Sequence, residues 1–239
     1  MNLLINGING YMGRTIRELA LKDNFWEEIH GLSREKPQPT DHIKYHVLLD
    51  FTHPSALDNV LQLALERRLP LVIGTTGYND EQLEKIKAAS KEIPILYATN
   101  MSLGMNLLFS LVEEIARKIG KDADIEIVES HHNRKKDAPS GSAITIAESI
   151  EKGLGERRKY QYGRQGQCPR QKGEIGIHSL RGGNIVGYHE ANFIGDLESI
   201  RLSHEAYDRK VFAKGALEAA KFIIGKEPGL YSMRDVLSL

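Results

Sequence analysis

One run of this sequence concentrates the side chains most able to do chemistry: Glu129-Ser130-His131-His132-Asn133-Arg134-Lys135-Lys136-Asp137-Ala138-Pro139-Ser140-Gly141-Ser142. Histidine changes charge near neutral pH, so it can hand over a proton. Lysine holds a carboxylate as a point charge. Ser140, Gly141 and Ser142 open a predicted helix, and the first N–H groups of a helix have no partner within it and favour an anion. These residue types together predict a receptacle for an acid-bearing substrate with a proton donor beside it. Zinc is a competing use of two adjacent histidines. It lacks a His-Glu-x-x-His pattern and nearby cysteines, so no metal is expected. A solvated charged loop is the bland alternative.

A second run offers a different chemistry. Gly7-Ile8-Asn9-Gly10-Tyr11-Met12-Gly13 follows the apolar Leu3-Leu4-Ile5 and precedes a helical pattern from Arg14 to Lys22. Glycines let backbone N–H groups come close to a pyrophosphate, and the helix start favours its charge. The spacing is Gly-x-x-Gly-x-x-Gly; a tight turn with no ligand is the alternative. In dinucleotide sites an acid about 20 residues on takes the ribose 2′-hydroxyl. Here that count reaches Ser33, with Arg34 next and Glu35 after it. A hydroxyl and a cation suit a 2′-phosphate better than a bare ribose. A third turn, Gly74-Thr75-Thr76-Gly77, follows another strand and would line the same crevice at the carboxyl ends of a parallel sheet.

The elements that must position these residues change rhythm along the chain. In the first hundred residues, strands at 29–33, 47–51, 69–73 and 95–97 alternate with helices at 54–66 and 79–91. That βαβ order predicts a parallel sheet with helices on both faces. A helix at 103–118 and a strand at 125–129 follow, then the polar run and a helix at 142–152. Residues 153–173 read as a loop; from Arg157 to Gly173 it holds six Lys or Arg and no acid, a composition that could gather an anionic substrate. Strands at 174–180, 184–189 and 197–204 predict an antiparallel or mixed sheet, the first two as a hairpin about Gly182-Gly183. Helix 208–224 closes the pattern. The expected division is a dinucleotide-binding domain at 1–101, joined by 208–239, and a second domain at 102–207.

Composition narrows the class. The chain has 239 residues, 41% hydrophobic and 27% charged, with 32 basic and 32 acidic residues and no net charge. This is a globular composition, and it weakens a reading as a protein that binds nucleic acid through phosphate neutralisation. A single cysteine, Cys168, excludes an intramolecular disulfide. No secretory signal and no apolar run of about 20 residues is present. The expectation is a soluble cytoplasmic protein with no membrane partner.

The ensemble of motifs resembles the dihydrodipicolinate reductase (4-hydroxy-tetrahydrodipicolinate reductase) family of bacterial lysine and diaminopimelate biosynthesis. The resemblance runs from the glycine turn through Gly74-Thr75-Thr76-Gly77 and Ala98-Thr99-Asn100-Met101. It continues through Glu129-x-His131-His132-x-x-Lys135-x-Asp137-Ala138-Pro139-Ser140-Gly141 and Gly176-x-His178-Ser179-x-Arg181-Gly182-Gly183 to Gly229-Leu230-Tyr231-x-Met233. It implies an N-terminal Rossmann-like parallel sheet and a C-terminal mixed α/β domain that binds substrate and builds a homotetramer. It implies hydride transfer from NADPH or NADH to a cyclic dicarboxylate. By resemblance, His131 is the proton donor/acceptor, Lys135 its partner donor, and His132, Gly141 and Ser142 contact substrate carboxylates. Gly7, Ile8, Asn9, Gly10, Tyr11, Met12, Ser33, Arg34, Gly74, Thr75, Thr76, Ala98, Thr99, Asn100 and Met101 would hold the cofactor. Two departures stand out: a compressed connection at 34–45, and Ser33 where relatives often carry an acid. Ser142 keeps the hydroxyl of the usual threonine. Extended short-chain dehydrogenases share the glycine spacing but need Tyr-x-x-x-Lys, which none of the nine tyrosines supplies. A catalytically inactive dinucleotide sensor is the other alternative, and His131 with Lys135 argues against it.

Overall fold

The structure is a computed structural model that describes residues 1–35 and 38–239, so residues 36 and 37 of the compressed connection lie outside the described residues. The first elements along the chain are β1 (Asn2–Asn6), α1 (Tyr11–Ala20), β2 (Glu28–Leu32), β3 (Val47–Asp50), a 3-10 turn (Pro54–Ala56), α2 (Leu57–Glu66), β4 (Leu71–Ile73), α3 (Asp80–Ala89) and β5 (Pro94–Tyr97). Then come α4 (Leu103–Ile119), β6 (Asp124–His131), α5 (Gly141–Leu154), β7 (Tyr160–Tyr162), β8 (Ile175–Arg181), β9 (Gly187–Ile194) and β10 (Ser199–Ala206). The chain ends with α6 (Lys210–Ile223), β11 (Gly229–Tyr231) and α7 (Met233–Val236). Two compact units result: residues 1–103 with 210–239, and residues 104–209.

The first unit is a six-stranded parallel sheet in the order β11-β5-β4-β3-β1-β2. Its four central strands, β1, β3, β4 and β5, are mainly apolar on both sides, as a sheet covered on both faces requires. Leu3, Ile5, Val47, Leu49, Val72 and Leu96 face one cluster with residues of α1 and α6. Leu4, Leu48, Leu71, Ile73 and Ile95 face the other with residues of α2 and α3. Strand order reverses between β1 and β3, which opens a crevice at their carboxyl ends. Helix α1 starts at Tyr11, three residues before the expected Arg14. Gly13, a poor helix former, masks that start in the sequence. A Cβ on Gly13 would stand 2.1 Å from the Gly7 carbonyl oxygen, so only glycine lets the helix pack on the turn. The tail adds β11 to the sheet edge, beside β5.

The second unit is a mixed sheet in the order β10-β9-β6-β8-β7. One face, with Ile125, Ile127, Ile175, Ile177, Ala191 and Phe193, packs on α4 and α5. Three expectations change here. The strands about Gly182-Gly183 do not form a hairpin, because β6 lies between them, parallel to β8 and antiparallel to β9. The glycine turn instead crosses the end of β6: Gly182 N–H donates to the His131 carbonyl at 2.9 Å, and Asn133 N–H to that of Gly183 at 3.2 Å. Strand β6 runs to His131, so this histidine stands on a strand end and not in the loop. The segment expected to be a loop contains β7, which pairs with β8 at the sheet edge. Its cations mostly meet carboxylates: Arg157 pairs with Glu151, Arg158 with Glu156, Arg164 with Glu126 and Glu174, and Arg170 with Asp124 and Glu126. They fasten the segment to the sheet, which weakens its reading as an anion collector. No helix among the described residues is long and apolar enough to cross a membrane.

Candidate active site

Two arrangements stand out, one in each unit. In the first, Gly7 has φ +86°, the left-handed region that glycine enters freely. A Cβ there would lie 2.7 Å from the Phe51 carbonyl oxygen. Gly7 and Ile8 N–H both donate to the Leu32 carbonyl, which brings Ser33 to the turn. Gly10 is the N-cap of α1, with no side-chain cap and no acid in the first turn. A cavity of about 660 Å³ opens here, its wall including Gly7, Asn9, Gly10, Ser33, Arg34 and Glu35. The cavity reaches Gly10 at the start of α1, and an uncapped helix start suits an anion.

The other residues expected at this site are distributed differently. Ile8 and Met12 pack against the core, and Gly31 leaves room for the Ile8 side chain. Tyr11 and Thr76 are exposed. Gly74 lies against the Phe51 ring, 2.2 Å from where a Cβ would stand. Thr75 is buried: its hydroxyl donates to Asp50 Oδ2 at 2.6 Å and accepts from Thr52 N–H at 2.8 Å. Ala98 is partly buried against the core and Thr99 exposed. Asn100 Oδ1 accepts from Ser102 N–H at 2.9 Å. Met101 is a core residue, its carbonyl packed against Gly215 of α6.

In the second unit, a strand end carries the histidine. Alternation along β6 puts Glu129 and His131 on one side of the sheet. Glu129 is fully buried. Its Oε2 accepts from His131 Nδ1 at 2.6 Å and from Arg181 at 2.8 Å. Its Oε1 accepts from Arg181 at 2.7 Å and from Ser140 N–H at 3.1 Å. Burial pushes the Glu129 carboxyl up, but bonds from His131, Arg181 and Ser179 outweigh it and hold it well below the usual range. Arg181 also donates to the Asp137 carbonyl at 2.8 Å. Lys135 pairs with Asp137 at 2.8 Å.

The His131 ring meets His189 edge-on, centroids 5.1 Å apart. Burial, reinforced by the charge of His131, pushes His189 down to about 3, so it is neutral at pH 7. Its Nε2 hydrogen-bonds Ser140 Oγ at 3.0 Å. Ser140 in turn caps α5, accepting from Ala143 N–H at 3.2 Å. Desolvation, then the nearby cations Arg134 and Arg209, push His132 down. Gly141 opens α5 facing open space, and Ser142 follows it. The structure therefore gathers His131, His132, Lys135, Gly141 and Ser142 into one unit. It adds three residues to which the sequence reading gave no role, Glu129, Arg181 and His189, and ties Ser140 of the expected helix start to two of them. The two-residue step from Glu129 to His131 on a strand was the signal for the first; Arg181 and His189 needed the sheet order.

A parallel sheet with a glycine turn at its switch point, and a separate unit that gathers histidines and cations, are the parts of an α/β oxidoreductase. The comparisons make this specific. Residues 1–101 match the family model for the dihydrodipicolinate reductase N-terminus, and residues 104–237 that for its C-terminus. The chain belongs to the dihydrodipicolinate reductase family. It is 64% identical over 239 residues to the 4-hydroxy-tetrahydrodipicolinate reductase of Alkaliphilus oremlandii, covering 100% of this chain and 99% of that one. It is 61% identical to that of Alkaliphilus metalliredigens over the whole of both chains. A solved dipicolinate-bound dihydrodipicolinate reductase from Paenisporosarcina sp. TG-14 shares the fold, with TM-score 0.77, 24% identity and 97% of each chain covered.

Proposed function

We propose that this chain reduces 4-hydroxy-tetrahydrodipicolinate to tetrahydrodipicolinate with NADPH or NADH. The reaction replaces a C–O bond by a C–H bond: a hydride enters, and hydroxide leaves as water after taking a proton. The observation that carries the reading is His131, with one ring nitrogen bonded to a buried carboxylate, at the strand end that leads through Lys135 to the start of α5 at Gly141 and Ser142. The names of the full-length relatives support the substrate.

The residues of the first unit fit a nicotinamide dinucleotide, because the cradle at Gly7 and Gly13 has no room for a Cβ. Gly7, Ile8, Asn9, Gly10, Tyr11 and Met12 would surround its pyrophosphate. Ser33 and Arg34 would take a 2′-phosphate. Gly74, Thr75, Thr76, Ala98, Thr99, Asn100 and Met101 would line its far end, Thr75 and Met101 through backbone because their side chains are buried. The cofactor supplies the hydride. The protein's own residues handle the substrate's charge and the proton. His132, Lys135 and the α5 start at Gly141 and Ser142 hold the two carboxylates, and His131 gives the proton with Lys135 as its partner.

The reading carries with it a homotetramer built through the second unit, to be checked by light scattering, and a cytoplasmic location. The deciding experiment follows NAD(P)H oxidation at 340 nm with enzymatically generated substrate and identifies the product by mass spectrometry. Tetrahydrodipicolinate formed in step with NAD(P)H loss is expected; no oxidation refutes the proposal.

A further inference from the structure

Glu129 is a buried carboxylate to which the reaction as written gives no part. Of four of its bonds, one holds its own strand and three reach other segments. His131 comes from its own strand, Arg181 from β8, and the Ser140 N–H from the start of α5. Through Arg181 it also reaches the Asp137 carbonyl, and Asp137 pairs with Lys135.

An ionised carboxylate only accepts hydrogen bonds, so the nitrogen facing it must carry a proton. We propose that Glu129 is the positioning residue of the reaction: it fixes His131 with its proton on Nδ1, leaves Nε2 to exchange protons with the substrate, and holds the Lys135 segment and the α5 start in register with that ring. This rests on the reductase reading above. The proton step balances simply. Imidazolium gives its Nε2 proton to the departing hydroxide, remains neutral with Nδ1–H on Glu129, and regains a proton from water. Nε2 is the free side of the ring, facing Gly187, where a Cβ would stand 3.3 Å away. A carboxylate behind a histidine fixes tautomer and orientation in this way wherever the ring must present one chosen nitrogen.

The charged and titratable groups facing His131 are Glu129 on its own strand, Arg181 from β8, His189 from β9, and His132 and Lys135 from the polar segment. Glu129 is the carboxylate that touches the ring. Glu129→Gln removes that charge and leaves the cations, so the imidazolium becomes harder to form. An amide also turns an N–H₂ toward two donors whichever way it is placed, since each carboxylate oxygen accepts twice.

The test has two arms. In the wild-type protein, selectively ¹⁵N-labelled in histidine, the His131 ring (assigned by loss of its signals in His131→Gln) should show a protonated Nδ1 in its neutral form. A neutral ring protonated on Nε2 overturns the proposal. In Glu129→Gln, kcat should fall about 10–100-fold. The alkaline limb of the kcat profile should move down by about one pH unit. An unmoved profile overturns the proposal, as does an unchanged kcat. If the variant does not fold, the wild-type tautomer decides. If wild-type protein fails to turn over the substrate, the reductase reading falls, and the tautomer measurement still judges the role of Glu129.

Discussion

Arg181→Met removes the cation that keeps Glu129 charged inside the protein. The Arg181 side chain is 19% exposed and Glu129 is 0% exposed, with two contacts of 2.7 and 2.8 Å between them. Methionine fills similar space without charge. The variant leaves a buried carboxylate with His131, Ser179 and the Ser140 N–H as its remaining donors. Breaking one side of a buried ion pair costs about 3–5 kcal/mol. Two charge-assisted bonds at about 1.5–3 kcal/mol each lead to the same range. For a chain of this length that corresponds to a fall in Tm of about 10 °C or somewhat more.

The sign of the pH dependence separates this mechanism from simple loss of packing. In the wild type, the folded-state value of Glu129 lies below its ordinary value. Its stabilisation is therefore fully present above the unfolded value, about 4.3, and is lost as pH falls through the folded value. In Arg181→Met, burial pushes Glu129 above that value, so the variant loses stability as pH rises. The gap between the two proteins should be widest near pH 7 and narrow towards pH 4. Calorimetric scans of both proteins from pH 4 to pH 8, at matched protein concentration, measure it. A Tm loss at pH 7 under about 3 °C, or a gap that does not change with pH, would refute the reasoning.

His131→Gln should leave folding and cofactor binding intact and lower turnover about 10²–10⁴-fold, as for loss of a general acid; wild-type turnover would remove His131 from the reaction. Wild-type protein should use both NADPH and NADH, leaning to NADPH by about tenfold at most, because Arg34 is exposed and screened. Specificity constants for both cofactors test this, and Arg34→Ala should lose the lean; a strong NADH preference would contradict it. Asp50→Asn should shift Tm by less than about 3 °C at pH 7 and gain on wild type as pH rises above about 4. The folded-state value of Asp50 is raised by burial, so the native carboxyl loses stability over that window. Thermal scans at pH 4 and pH 8 check the direction.

Most of the first unit was legible because its signals are local. Apolar runs such as Val47–Asp50 end at turns, and the helices between them carry one apolar stripe each, as Leu57, Val60, Leu61 and Ala64 show in α2. The histidine–lysine segment was legible as chemistry from residue types alone. What stayed hidden is long-range. Gly182-Gly183 has the composition of a hairpin turn, and nothing nearby reports that a strand formed fifty residues earlier lies between its two arms. β7 is three residues on a sheet edge, too short to set a pattern. Arg181 is 52 positions from Glu129, so their pairing appears only once β6 and β8 align Glu129 with Ser179 and His131 with Arg181. The cations of 157–173 looked free because their carboxylate partners lie outside that segment.

The two units solve one physical problem in opposite ways. Asp50 and Glu129 each bury a carboxyl at or near the end of a central strand, 1% and 0% exposed. In both, desolvation is the largest single influence and favours the protonated form. Around Asp50 the donors are neutral: Asn6 at 2.8 Å, Thr52 at 2.8 Å and Thr75 at 2.6 Å. They join the ends of β1 and β3 to the segment after β4, but they do not offset burial, and the carboxyl is pushed up. Around Glu129 stand a guanidinium and an imidazole, and the balance reverses. The difference follows from what each carboxyl must do. The ends of β1, β3 and β4 need a tie, which a carboxyl, or an amide of the same shape, provides by geometry. On the proposed reading His131 needs an acceptor that cannot donate behind Nδ1, which leaves Nε2 for the substrate, and a charged acceptor also steadies the imidazolium. Arg181 makes that anion tolerable at full burial, and so the proton on the His131 ring of one strand depends on a cation from the next.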